Sequence, residues 1–333
     1  MELVKILEEL NSAFGPSGCE GDVADVIERL ARPYVDEMTR DTLGNLICHK
    51  KGGGPKVMFA AHMDSVGLVV THIEEEGFLR VGKLGGIDPV HALYAPVRFQ
   101  NGVRGTVAMD AGTDPAKLKL DDLYIDIGAS DAAGSRAKVD VGDAAVYDLP
   151  VRDLGDKILS PCLDDRAGCA ILLLAMEQLG STGSDLYFVF TAQEEVGTRG
   201  AVTAAYAIDP DYAVAVDVTL SDDLPGSAHV GSARQGKGAG VKIMDHSMIS
   251  HPRVVEKLRA LAKEKGIPCQ TDVSGRGGTD AGAIHRSRRG VCSGVLSVPS
   301  RYTHTPTEMI CKGDALACAE LVQAFAEAEL DPV

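Results

Sequence analysis

From residue 68 to about residue 156 the chain shows almost no helical periodicity, whereas helix and strand patterns are clear on either side. Within that stretch LVVTHIEEEGFLRVGKLGG, APVRFQNGVRGTVAM, DLYIDIGAS and AKVDVGDAAVYD read as short strands broken by Gly, Asn and Asp. Upstream, residues 3–14 and 21–34 have the apolar spacing of amphipathic helices, with the turn residues GPSGCEGD between them. GNLICHKKG and PKVMFAAHMD follow as two strands joined by the Gly-rich turn KGGGP. Downstream, DDRAGCAILLLAMEQLG has Asp at its start and Gly at its end, as a helix does. Strand DLYFVFTAQ, a helix near 199–207, strand YAVAVDVT, a helix near 251–265, a strand at GVLSVPS and a helix over 312–329 complete the chain. Strands alternating with helices imply a parallel layer. The expected fold is therefore α/β: a mixed, largely parallel sheet flanked by helices and interrupted by a small all-β insert domain. The boundaries are 1–67 and 157–333 for the two parts of the α/β domain and 68–156 for the insert.

A chain of 333 residues suits two domains, and 45% hydrophobic residues provide a sizeable core. With 48 acidic against 33 basic residues the formal net charge is −15, which repels nucleic acid and anionic lipid and suits cations. Tryptophan is absent and aromatics are 5%, a poor supply of platforms for stacking bases or sugars. The eight cysteines form no C-x-x-C pair and read as reduced, buried small hydrophobes. The N-terminal stretch lacks the basic start and apolar core of a signal peptide, and no apolar run has membrane-spanning length. A soluble cytoplasmic protein is expected, with neither nucleic acid nor membrane as partner.

Five places put an acid or a histidine at the carboxyl end of an expected strand: His62 and Asp64 in FAAHMDSVG, Asp164 and Asp165 in SPCLDDRAG, Glu194 and Glu195 in TAQEEVGTRG, Asp217 in VAVDVT, and His304 in SRYTHTPTEM. Taken singly, each reads more readily as a cap or turn residue. In an open α/β sheet, however, such ends converge on one crevice. Two imidazoles and three carboxylates there are what two borderline divalent cations need when one carboxylate bridges them. Asp64, two residues beyond His62, points the same way along a strand and is expected to accept the other ring N–H. Asp164 stands before a helix, where it caps or bridges. Adjacent residues leaving a strand cannot easily ligate one ion. Glu195 is thus expected as a ligand and Glu194 as the base that takes the proton of an acidified water.

In that order, AAHMDSVG, CLDDRAG, AQEEVGTRGA, AVDVT, GGTDAGAIH and SRYTHTPTEM resemble the co-catalytic metalloaminopeptidases of the tetrahedral (TET) type, over nearly the whole chain. That family includes leucyl, glutamyl and lysyl aminopeptidases and proteins labelled endoglucanase M or cellulase M. The resemblance implies a zinc-exopeptidase-like catalytic domain with two divalent ions per subunit, Zn²⁺ or Co²⁺. His62, Asp164 and Asp217 would hold one ion and Asp164, Glu195 and His304 the other. Glu194 would be the general base and Asp64 the partner of His62. Many members read LDNR where this chain reads LDDR; Asp164 is the expected bridge, with Asp165 as its competitor. The resemblance further implies peptide substrates cut from the N-terminus by a bridging hydroxide, and a β insert that mediates dimers, which assemble to a dodecamer.

Three other functions compete: a related metal-dependent deacylase or dipeptidase, an endoglucanase, and a non-catalytic metal-binding scaffold. A glycosidase uses two facing carboxylates without metal, and a scaffold needs no base. SGRGGTDAGAIH lacks a phosphate loop's Lys-Ser/Thr ending and reads as a plain loop or one flanking the substrate pocket. The histidines at 49, 72, 91, 229, 246, 251 and 285 are expected to be structural or superficial, and IEEEG a solvated edge or turn.

Overall fold

The computed structural model describes residues 1–227, 231–331 and 333, so the histidine at 229 lies outside the described residues. Helices α1 (Leu3–Ser12) and α2 (Gly21–Ala31) open the chain. The former buries Leu3, Ile6, Leu7 and Leu10, the spacing of one helical face. A short 3-10 turn over Arg32–Tyr34 extends α2 to its expected end. Strands β1 (Glu37–Arg40), β2 (Leu46–Lys50) and β3 (Lys56–His62) follow.

The stretch without helical periodicity folds as a closed barrel. Its strands are β4 (Gly67–Ile73), β5 (Leu79–Leu84), β6 (Pro96–Phe99), β7 (Arg104–Met109), β8 (Leu123–Asp126) and β9 (Ala144–Tyr147), ordered β4-β5-β8-β7-β6-β9. Two short helices, α3 (Pro89–Ala92) and α4 (Ala132–Arg136), lie between strands. Leu68, Val70, Val81, Phe99, Val107 and Ile125 fill a core separate from that of the sheet. IEEEG is the turn between β4 and β5, with Gly77 donating to the Glu74 carbonyl.

The chain then returns through β10 (Arg152–Asp153), β11 (Lys157–Ser160), helix α5 (Leu163–Gln178), β12 (Asp185–Thr191), α6 (Arg199–Ile208), β13 (Tyr212–Leu220) and β14 (Ala239–Met244). It ends with α7 (Pro252–Lys265), β15 (Cys269–Val273), α8 (Ala281–Ile284), β16 (Cys292–Arg301), β17 (Glu308–Cys311) and α9 (Lys312–Glu327). Among the described residues eleven strands make one mixed sheet, ordered β1-β2-β12-β3-β13-β16-β17-β11-β10, with β14 and β15 attached beside β16. Its centre, β12, β3, β13 and β16, is parallel. Strands β2 and β3, neighbours in sequence, do not pair: β12 lies between them, antiparallel to one and parallel to the other. The loop joining them passes tightly over residues 183–185, and a Cβ on Gly52 would stand 1.9 Å from the Ser184 carbonyl oxygen, so only glycine fits there.

Strand β3 shows how the sheet is covered. Val57, Phe59 and Ala61 pack under α1, α2, α5, α7 and α9, while Met58 and Ala60 pack on the other face against α6 and α8. The period-2 alternation thus feeds two cores, as in a sheet layered on both sides. Cys48, Cys169, Cys292 and Cys318 are buried as expected, but Cys269 is exposed on edge strand β15; all eight thiols are free.

Candidate metal centre

The carboxyl ends of the parallel strands meet on one side of the sheet. His62 ends β3, level with Thr191 at the end of β12. Glu194 and Glu195 follow in the loop after β12, Asp217 is the sixth residue of β13, and β16 runs into the loop that carries His304. Strand β11 pairs antiparallel with β17, which pairs antiparallel with β16, so β11 also points to the crevice and delivers Asp164.

One carboxylate stands at the middle. Asp164 Oδ1 lies 3.0 Å from His62 Nε2, and its other oxygen, Oδ2, lies 3.2 Å from His304 Nε2. His304 Nε2 is also 3.1 Å from Glu195 Oε2, while Asp217 Oδ1 and Glu194 Oε2 are each 3.9 Å from His62 Nε2. One ligand atom each from His62, Asp164 and Glu195 lie within 4.8 Å of one another, as do one each from His62, Asp165 and Asp217.

Asp165 has other employment. Its Oδ1 accepts from the Gly168 N–H at 2.9 Å and its Oδ2 from the His62 N–H at 3.3 Å, so the helical cap is Asp165 rather than Asp164. The first residues of α5 are not helical in φ/ψ, which turns the Asp164 side chain away from the helix.

Asp64 also differs from its expected contact. The His62 Nδ1–H is met at 2.9 Å by the backbone carbonyl of Asp64, while the nearest carboxylate oxygen is 3.5 Å away. Strand β3 stops at His62, so side-chain alternation does not extend to residue 64. The Asp64 carboxylate instead accepts from Ser17 Oγ at 2.6 Å and from the backbone N–H groups of Glu194 at 2.9 Å and Glu195 at 3.2 Å.

The electrostatics are those of crowded buried acids. Burial, reinforced by Asp217, pushes Asp165 well above the carboxylate range; burial also drives up Glu194 and Asp217, reinforced by Asp217 and Asp164 respectively. Asp164 is instead held low, its two imidazole partners outweighing its burial. His304, which burial alone would lower, is carried up to about 12 by Asp164 and Glu195. So many carboxylates cannot share a dry pocket as anions without cationic charge among them. Glu195 Oε1 is moreover buried with no hydrogen-bond partner. A mixed imidazole–carboxylate donor set with an unspent buried oxygen fits divalent cations of the zinc type.

The residues open onto a cleft of about 460 Å³. Its lining includes Asp164, Glu194, Glu195, Asp217 and His304 together with Lys242, Asp245, Arg276 and Thr279. SGRGGTDAGAIH contributes Ser274, Gly277, Gly278 and Gly282 to the lining, besides Arg276 and Thr279.

A family model for M42 glutamyl aminopeptidase matches residues 44–321, which include every candidate residue from His62 to His304. The chain belongs to the M42 aminopeptidase family. This M42 chain is 34% identical to the lysyl aminopeptidase of Pyrococcus furiosus, over 99% of its own length and 98% of the relative's. Its fold matches the aminopeptidase APDkam598 of Desulfurococcus kamchatkensis with a TM-score of 0.92 at 39% identity, covering 98% of this chain and 94% of the other. It also matches the Pyrococcus horikoshii TET1 peptidase, described as able to assemble into a tetrahedron or a large octahedral shell, with a TM-score of 0.88 at 31% identity, covering 98% and 99% of the two chains.

Three residues around this centre escape sequence reasoning. Glu308 accepts from the backbone N–H groups of Asp164 and His304. Asp280 is buried on the Thr191 hydroxyl and is pushed up to about 6 by that burial. The Gly86 carbonyl, from the end of the barrel's β5 hairpin, meets His304 Nδ1 at 3.1 Å. The first two lie inside quoted motifs, but nothing in an unaligned sequence marks them as buried. Of the other histidines, His49 has a defined partner, Asp185 at 2.7 Å, and stacks on Tyr187; His251 accepts from Arg253 N at the start of α7.

Proposed function

We propose that this chain is a dinuclear metalloaminopeptidase that removes N-terminal residues from peptides. The observation that carries the reading is the Asp164 carboxylate, which presents one oxygen to each of two imidazoles. His62, Asp164 and Asp217 would hold one divalent cation, and Asp164, Glu195 and His304 the other, with Zn²⁺ and Co²⁺ suited to the donors. When bound, such a pair supplies Lewis acidity that polarises the scissile carbonyl and acidifies water.

The chain's own residues do the rest. Glu194 borders the cleft beside His62 and takes the proton of the attacking water, then hands it to the departing nitrogen. Asp64 fixes the Glu194–Glu195 peptide, and its backbone carbonyl selects the His62 tautomer that leaves Nε2 free.

The segments 1–67 and 157–333 act as the catalytic domain. The insert over 68–156 serves self-association, first to a dimer and then to a dodecamer, in keeping with the dodecameric TET1 structure that this chain resembles. No helix among the described residues is long and apolar enough to cross a membrane. A cytoplasmic location is proposed on a separate ground, the eight free thiols.

The test is a panel of aminoacyl chromogenic amides assayed as isolated, after chelation, and after addition of Zn²⁺ or Co²⁺. Activity that vanishes on chelation and returns with metal is expected. A panel that stays uncleaved with metal bound sinks the proposal.

A further inference from the structure

Strand β17 lies between β16 and β11 in the sheet. Those two neighbours lead to the two ends of one cation position: β16 runs into the His304 loop and β11 into Asp164. The first residue of β17 therefore sits where both backbones pass. It is Glu308, 1% exposed, paired across the ladder with Ser160 of β11. Its two oxygens are divided between the neighbours. Oε2 accepts from the Asp164 N–H at 2.9 Å, and Oε1 accepts from the His304 N–H at 2.7 Å.

His304 needs such support. Its φ is +63°, and Tyr302 two residues earlier has φ +61°, left-handed backbone that side-chain-bearing residues adopt at a cost. A second contact fixes its ring. The Gly86 carbonyl takes the Nδ1–H at 3.1 Å, which in the neutral ring leaves the Nε2 lone pair, beside Asp164 and Glu195, free to face a cation. The barrel backbone reaches the ring only because residue 86 has no side chain: a Cβ there would stand 2.7 Å from His304 Nδ1. None of these contacts touches Asp217, and among the described residues His62 has no hydrogen bond to Glu308 or Gly86.

We infer that Glu308 and Gly86 are positioning residues for His304, and that Glu308 also positions the shared Asp164, so that together they set the affinity of the cation position formed by Asp164, Glu195 and His304. The inference rests on the two-cation reading above. It predicts an uneven effect: the Glu195–His304 position weakens while the His62–Asp217 position, which shares only Asp164, keeps most of its affinity. Loss of a contact that orients a metal ligand typically weakens binding about 10- to 100-fold.

The experiment is a Zn²⁺ binding isotherm on the chelator-stripped full chain, with bound metal counted by mass spectrometry and the melting temperature of the stripped protein recorded. Native protein, Glu308→Gln, Glu308→Ala and Gly86→Ala are compared. The native chain should bind two ions. Gly86→Ala should weaken one of the two steps at least about 10-fold with the other little changed, and Glu308→Ala should weaken that same step at least as much, with a smaller loss in the other through Asp164. Glu308→Gln, which keeps one acceptor oxygen, should fall between native and Glu308→Ala. Two unchanged steps in both Glu308→Ala and Gly86→Ala overturn the inference, as does an equal loss in both steps that follows a fall in melting temperature, the signature of a merely structural role. A native chain that binds fewer than two ions overturns the two-cation reading and this inference with it. Should the Glu308 variants not fold, Gly86→Ala alone decides by the same criteria.

Discussion

The Asp64 carboxylate reaches from the end of β3 to the backbone N–H of Glu194, 2.9 Å away across the mouth of the parallel sheet. Its other oxygen takes the next N–H, that of Glu195, together with the Ser17 hydroxyl. One acid thereby fixes the peptide between the proposed base and a proposed ligand. Asp64→Asn keeps the shape but leaves one acceptor oxygen for three donors. The variant is expected to bind metal in near-normal amount yet lose about 10- to 100-fold in kcat/KM, the scale on which small misplacements act. Steady-state kinetics beside metal analysis check it.

Glu194→Gln removes the proton acceptor and retains the volume. Its turnover should fall at least about 100-fold, in the range attributed to a positioned base, with metal content unchanged. Substantial activity in the metal-loaded variant would assign the base elsewhere.

Stability of the stripped protein should depend on pH in a definite direction. Burial and the Asp164 charge push Glu308 up to about 8, burial puts Asp280 at about 6, and Glu194 and Asp217 are also raised. These acids keep protons in the folded state that the unfolded chain releases above about pH 4. His304 likewise keeps a proton that an unfolded histidine releases above about pH 6.5. The folded state therefore binds more protons, and stability falls as pH rises from about 4 to 8. Denaturant unfolding in chelator should give a lower midpoint at pH 8 than at pH 5.5. Added Zn²⁺, which favours the ionised ligands and the folded state, should shrink or reverse the difference.

Arg166, 1% exposed, ties α5 to the N-terminal helix: Nη1 donates to the Leu10 carbonyl at 2.5 Å and Nη2 to the Gly15 carbonyl at 3.1 Å. Arg166→Ala opens a cavity and removes both charged donors, so a loss of about 3 kcal/mol is expected from unfolding of the stripped protein. A change below about 1 kcal/mol would mean that the surroundings collapse into the space.

How far the sequence reveals this molecule follows from what kind of signal each part leaves. The barrel is legible because a run of short strands erases the helical period over some ninety residues, and all four strand-rich segments fall on barrel strands. The crevice is legible because apolar runs ending in His62, Glu194 and Asp217 recur at βα spacing. Strands β1, β10, β14, β15 and β17 escape the sequence reading; β1, β10, β15 and β17, of two to five residues, are too short to show a period, and β15 is mostly exposed. The division of labour between Asp164 and Asp165 depends on the non-helical turn at the head of α5, and the His62–Asp64 contact on where β3 ends. Both are set by backbone direction, which residue type does not encode. Glu308 in THTPTEM looks like any surface acid until the sheet order places β17 between its neighbours.

That β12 lies between β2 and β3 bears on how the molecule is made. The two strands that flank the slot precede the barrel in the chain, and the strand that fills it follows the whole barrel, some 120 residues later. A premature β2–β3 hairpin would have to come apart, and a product truncated before residue 185 would lack the central ladder along with most of the proposed cation donors. Assembly of the interior, not of the ends, completes the enzyme.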